Sequence, residues 1–471
     1  MPLPFPALPL DPDNAAHRAW LASVQGNIVK GHGRKYTRLV FFKFRKTDRK
    51  NRLLLPAAVR EKLVTSAAYQ MAHTQAYKLA RAAEAAGLEA AAPAPAPGFY
   101  GLGLTQEFFW QCELDRTDMP PESGAFRNGA YMTNRGSRHD PGNWQPVYRS
   151  QPHGAWLLAH EHEIELGSMQ DAVEHLLARH NANIVGAAEN GFKWGDPADP
   201  KLMREPFGFR DGISQALFFK GEYPAPNFVQ YELGNLLIEE DGAHRGGSFM
   251  VVQKFEQNVQ AFRKFETAIS AAFAGAGRPL PVTSPGALLV GRERDGQPLV
   301  GAPGDATLNN FDFAAEPPSE ARCPFHAHIR KANARSESPQ LKENAALILA
   351  KQFMRRGVIF DARKQLPPVA TPDYPAGDEI RGDVGLLFMG YMRDPQAQFL
   401  HMLKAWFERK DFPFQGMNMP DPMMAGDVAD TGEWNWSGAP CPVGGLGRFV
   451  TTRGAAYLYV PALDWLNGMR A

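Results

Sequence analysis

Cysteine is scarce in this chain. Three residues in 471 (Cys112, Cys323 and Cys441) stand far apart, with no CxxC pair among them. An odd, scattered count excludes a disulfide framework and a cysteine-built structural zinc site. Charge of one sign is lacking as well: 51 basic side chains meet 50 acidic ones, a formal net charge of +1. So balanced a chain carries no global electrostatic footprint for nucleic acid or an anionic membrane surface. No apolar run approaches the ~20 residues of a membrane span. The apolar start, Met1 to Leu10, has no basic region and carries four prolines, which fits neither a secretory nor a twin-arginine signal. The expectation is a soluble, cytoplasmic protein without nucleic-acid or membrane partners.

What is present suggests two domains, because 471 residues exceed one core of usual size. Thr37–Phe44 is short, apolar and aromatic, the pattern of a buried strand. Pro56 opens an Ala-rich helical stretch to about Ala86, and the Ala/Pro alternation at Ala91–Pro97 reads as a stiff linker. Gly, Pro, Asn and Asp punctuate residues 98–154, where strands and long connections are expected. Trp156–Leu166 carries a strand signal, with a helix to about His180. The second half repeats this plan. Ser248–Phe255 reads as a strand before a helix over Val259–Phe273, and Val384–Tyr391 as a strand before an amphipathic helix from Pro395 to Phe407. Such strand–helix units define an α+β fold, with antiparallel sheets and helices on one face in each half.

The stretch Arg322–Arg335 gathers two histidines and four cationic side chains. Pro324 suits a first helical position, so a helix is expected from there. Two residues on a helix differ by roughly 200°, so His326 and His328 would face opposite ways and not share one small metal ion. A single inward imidazole near Arg330, Lys331 and Arg335 is what a haem with two propionates needs. The plainer reading is a helix with a solvated basic face. His160 and His162 fall at strand spacing on one face, but no third ligand accompanies them, so an amphipathic strand is the simpler reading. Phe207-Gly-Phe-Arg-Asp-Gly212 predicts a tight turn that fixes the direction of the Asp211 carboxylate. Met354-Arg-Arg-Gly357 follows the helical run Glu343–Phe353 and reads as a helix end with a Gly cap. An arginine there can also stabilise developing negative charge in a pocket.

The order and spacing of these segments resemble the dye-decolourising peroxidase family. The matching text is Gly208-Phe-Arg-Asp-Gly212, Cys323-Pro-Phe-His-Ala-His-Ile-Arg330, Met354-Arg-Arg-Gly357 and Gly385-Leu-Leu-Phe-Met-Gly-Tyr391. Weaker matches lie at Val24–Ile28, Val290–Gly296 and Phe449–Pro461, so the resemblance spans nearly the whole chain and its larger members. It implies two ferredoxin-like domains, residues 1–220 with the GxxDG motif and 221–471 with the histidine and arginine, and haem b wedged between them. His328 would be the proximal iron ligand, with His326 its rival in register. Asp211 would be the distal acid–base residue and Arg355 the distal arginine, with Arg356 as rival. Leu386 and Phe388 would line the distal pocket, Arg330 would meet a propionate, and Asp394 would accept from the second nitrogen of His328. Without a CxxCH motif the haem is expected to be non-covalent. The implied activity is oxidation of bulky aromatic or dye-like reductants by hydrogen peroxide, in a monomer or homodimer. The alternative is a haem-binding or iron-releasing protein with little turnover. An aspartate base, ordinarily ionised down to about pH 4, suits turnover in acid.

Overall fold

A computed structural model describes residues 4–85, 97–121, 124–195, 203–213, 215, 217–222, 231–240, 242–301, 309, 311–313, 322–335, 345–361, 384–413, 419–424, 434–436, 439–441 and 449–470. The first strand, β1 (Tyr36–Phe44), buries Leu39, Val40, Phe41 and Phe42 in succession. A continuous apolar run of this kind forms a strand covered on both faces. Antiparallel to it lie β3 (Gly154–His160) and β4 (Ala182–Phe192), and β2 (Phe99–Leu104) joins the far side of β3. The spatial order is therefore β4-β1-β3-β2.

The second half has β5 (Ser248–Gln257), β6 (Met354–Arg355), β7 (Val358–Asp361), β8 (Val384–Met392), a short hairpin of β9 (Trp434–Trp436) and β10 (Ala439–Cys441), and β11 (Val450–Val460). Its sheet runs β11-β5-β8-β7, with β6 also on β8. Numbered within each half, both sheets have the order 4-1-3-2 of a ferredoxin-like unit. Two single pairings, Phe192 with Ile359 and Leu104 with Tyr459, join the sheets into a closed ring. Amphipathic helices cover them. Glu165–Arg179 buries Leu166, Met169, Val173, Leu176 and Leu177, spaced as one helical stripe. Val259–Gly275 does the same in the second half through Phe262, Phe265, Ile269 and Phe273.

Local expectations fail where tertiary pairing intervenes. The Ala-rich stretch splits into helices Leu54–Arg60 and Ala67–Ala85. Between them Thr65 is drawn toward β2, donating to the Tyr100 carbonyl and accepting from Gly26 N–H at 2.8 Å each. Residues 98–154 hold one interior strand, β2, together with helices Gln106–Gln111 and Gly124–Asn134. The strand read over Trp156–Leu166 ends at His160, where His162 N–H turns back onto His160 Nδ1. Among the described residues no three His, Cys, Asp or Glu side chains gather as metal ligands. Pro395–Phe407 is helical, but as wider π turns over Gln396–Leu400 and Met402–Phe407. Residues 91–96 of the Ala/Pro stretch lie outside the described residues. Among those described, no helix is long and apolar enough to cross a membrane.

Candidate functional site

The basic stretch opens with a turn rather than a helix. Ala327 N–H closes onto the Pro324 carbonyl at 3.0 Å, Ala327 takes an extended ψ of 136°, and the helix is the short segment His328–Ala332. His326 and His328 therefore separate by environment rather than by helical rotation. His326 is buried, and that burial, helped by the Lys331 charge, keeps its imidazole neutral down to about pH 3. His328 is partly open, with 27% of its side chain exposed. Its Nδ1 meets Oδ2 of the fully buried Asp421 at 2.7 Å, and its ring lies 5.5 Å from that of Phe407. Asp421 is itself fixed. Its Oδ1 accepts from Met423 N–H and Met424 N–H at 2.7 and 3.2 Å, and its own N–H donates to the Phe407 carbonyl.

Sequence reasoning missed Asp421 and named Asp394 for this role. Asp394 instead caps the first π turn, accepting from Gln396 and Ala397 N–H. It lines a cleft of about 620 Å³ with Glu232, Asn235, Glu239 and Arg393, which shares no residue with the candidate site.

Register places a second group of predicted residues on one sheet face. In β8, Leu386 and Phe388 are half-buried while Leu387 and Met389 between and beside them are buried. Alternation puts 386, 388 and 390 on the same side. Arg355 pairs across the ladder with Gly390, so it emerges on that side too, and it is exposed. Its position in a two-residue strand corrects the reading of a helix end; the preceding helix stops at Ala350. Arg356 faces differently. Its guanidinium donates to the Asn27 and Ile28 carbonyls at 2.9 and 3.1 Å and to Gln215 Oε1 at 3.2 Å.

Asp211 stands in the expected tight turn, with Gly208 at φ +91° and Gly212 at φ +76°. Its N–H donates to the Met203 carbonyl at 2.7 Å, and its exposed carboxylate accepts from Gly212 N–H at 2.6 Å. The Arg356–Gln215 bond ties this segment to the one bearing Arg355. A third connection runs through residues 291–296. Arg210 N–H donates to the Arg294 carbonyl, Arg292 reaches Asn309, and Asn309 donates to the Ile213 carbonyl. Ile329, beside His328, closes on Gly291, where a Cβ would meet it at 2.4 Å.

Arg330 does not reach this open region. It is fully buried, donates to the Cys323 carbonyl, and lies over the rings of Phe325 and Phe313 at 4.2 and 4.9 Å. Other arginines gather where an anion would be welcome. Arg292 and Arg335 share one neighbour, the Phe311 ring, with guanidinium carbons 5.6 and 4.1 Å from its centroid. Burial, and then the charges of Arg335 and Arg355, lower the Arg292 guanidinium to about 10. Mutual repulsion of this kind is relieved by a bound carboxylate.

These residues fit a haem. The His328 imidazole has one nitrogen fixed by a buried carboxylate and, among the described residues, no protein partner at Nε2, the arrangement an iron-ligating histidine uses. An apolar strand face bearing the exposed Arg355 and a cationic group suited to carboxylates complete the set. No family model matches the chain. It is 26% identical to the multifunctional dye peroxidase of Amycolatopsis sp., over 95% of this chain and 96% of that one. It is 25% identical to a dye-decolorizing peroxidase of Auricularia auricula-judae, over 73% of this chain and 70% of that one. In fold it is similar to the DyP-type peroxidase of Anabaena sp., with a TM-score of 0.80, 23% identity and coverage of 99% and 98% of the two chains. The Amycolatopsis crystal structure is equally similar, at a TM-score of 0.80, 24% identity and coverage of 98% and 99%. The fold is thus α+β, two ferredoxin-like sheets, and the residues gathered at the candidate site are of the types a haem would need. Over nearly its whole length the chain is similar to dye-decolourising peroxidases.

Proposed function

We propose that the chain is a haem-dependent peroxidase that uses hydrogen peroxide to oxidise bulky aromatic or dye-like compounds. The observation that carries this reading is His328, held through Nδ1 by buried Asp421, with Nε2 clear of partners among the described residues. Non-covalent haem b would supply the iron and the store of oxidising power. His328 would hold it on one side, and Arg292 and Arg335 are better candidates for its carboxylates than the buried Arg330. Asp421 fixes the histidine tautomer and makes Nε2 a stronger donor. Asp211 takes the proton from one peroxide oxygen and passes it to the other, so that water rather than hydroxide leaves as the O–O bond breaks. Arg355 contributes a fixed positive charge beside the oxygen that becomes negative. Leu386 and Phe388 keep that space apolar, which strengthens both effects.

The test is an absorption spectrum of the purified protein followed by rapid mixing with peroxide. Asp211→Asn should keep its haem and slow the peroxide reaction about 10²–10⁴-fold, the usual contribution of a general base. His328→Ala should lose haem; retention with an unchanged spectrum rules out His328 as the ligand. Dye turnover should be best in acid, and a peak well above neutrality counts against Asp211 as the base.

A further inference from the structure

One half-buried carboxyl lies inside the turn that presents Asp211, and the mechanism above does not use it. Glu205 opens the turn. Its Oε2 accepts from Phe207 N–H at 3.0 Å and from Gln257 Nε2 at 2.8 Å, and its Oε1 accepts from Phe209 N–H at 2.9 Å. Its backbone pairs with the same residues: Glu205 N–H donates to the Phe209 carbonyl and its carbonyl accepts from Gly208 N–H. Two residues later Asp211 leaves the turn. Glu205 thus ties both limbs of the GxxDG loop together and fastens them to the end of β5 through Gln257.

The chemistry of this cradle is unusual. Three N–H donors converge on the carboxyl, which suits a carboxylate, an acceptor at both oxygens. A proton removes the negative charge that strengthens all three bonds and adds an O–H that needs an acceptor of its own, so the neutral acid holds the three donors less firmly. Burial and the Asp211 charge oppose ionisation and lift the carboxyl to about 7, against the pull of the three donors. The surrounding charges come from several elements. Arg204 donates to the Gly208 carbonyl from the preceding strand segment. Arg263, on helix Val259–Gly275, donates to the Phe207 carbonyl, and Arg294 lies against Gly208. Both of these arginines pair with Glu266. The turn therefore has two forms available near neutrality, one held by charge-assisted bonds and one held by weaker neutral ones.

We propose that Glu205 is a positioning residue for the peroxide step: ionised, it holds the turn so that Asp211 is fixed over its proton transfer; protonated, it slackens the turn. The proposal rests on Asp211 being the base. Positioned proton transfer loses efficiency with small displacements, so the peroxide reaction, measured alone, should accelerate as pH rises through about 7. Dye turnover in acid then proceeds on the slack form and is limited by oxidation of the reductant, not by the peroxide step.

The experiment compares the holoenzyme with Glu205→Gln and Gln257→Leu. Rapid mixing gives the second-order rate constant with peroxide from pH 5 to 9, and infrared difference spectra follow the protonated-carboxyl band over the same range without peroxide or dye. The wild type should show an inflection near neutrality in both readouts. Glu205→Gln should lose both while keeping its haem spectrum, with a peroxide rate constant at pH 8 at least tenfold below wild type. Gln257→Leu, which removes one donor, should move both inflections to higher pH. If Glu205→Gln fails to fold, the wild-type and Gln257→Leu titrations decide. A wild type with no infrared titration near neutrality, or a Glu205→Gln enzyme with wild-type rate and profile, overturns the proposal. A wild type that is inert to peroxide, or an Asp211→Asn variant as fast as wild type, overturns the peroxidase reading instead.

Discussion

His328 and Asp421 show how little of a site a sequence must display for the site to exist. The histidine was legible because it sits in a dense basic motif. Its partner is 93 residues away, in a Pro-Asp-Pro context that marks only a turn. No local pattern joins them; the fold does. Asp421 is buried with both oxygens engaged, so its replacement has a defined consequence. Asp421→Asn keeps the shape and removes the charge that would make His328 a stronger donor to the iron in the proposed site. The variant should bind haem and show a raised haem reduction potential, measured by redox titration. An unchanged potential would mean that the carboxylate serves the fold alone.

Lys331 makes the same point for an element. It is fully buried, three residues after His328, and its ammonium donates to the carbonyls of Trp406, Arg409 and Phe412 at 3.3, 2.6 and 2.7 Å. Burial lowers its proton affinity to about 8, yet three acceptors hold it. It thereby caps the second π turn, whose Phe407 both faces His328 and receives Asp421. Lys331→Met would leave buried carbonyls without a donor, at a cost of ~1–3 kcal/mol for each left unsatisfied, offset in part by removal of a buried charge. A net loss of ~2–4 kcal/mol is expected by urea titration. Elements defined by their own periodicity, β1, β5, β8 and the helix after β5, were legible within a few residues. Elements defined by a neighbour were not. Arg355 reads as a helix end because an apolar helical run precedes it; it is a strand because β8 offers a ladder. The helix expected from Pro324 is delayed to His328 by a turn.

For the whole molecule the buried histidines set the response to acid. His139, His153 and His244 are buried and neutral, each lowered by that burial to about 4. The unfolded chain protonates them near 6.5, so between 6.5 and 4 it binds more protons than the folded one. Stability from these three is complete above 6.5 and is lost as pH falls, by on the order of 1 kcal/mol per pH unit each. Glu205 works the other way, because its raised value favours the folded state in acid and that gain disappears as pH rises through about 7. Three groups outweigh one. The melting temperature, followed by circular dichroism, should fall steadily between pH 6.5 and 4, and His139→Gln should flatten the slope.

The ring of strands has one further property. Within each half every neighbouring pair of its four-stranded order shares several residues of register, while among the described residues the ladder between the two sheets is one residue pair at each seam, Phe192–Ile359 and Leu104–Tyr459. Register errors in one half therefore have almost no route into the other. The chain behaves as a book with two covers and a narrow spine: each cover can be rewritten, lengthened or repaired without resetting the opposite page. Long insertions between strands are tolerable in such a design, since they need only return the chain to its own sheet.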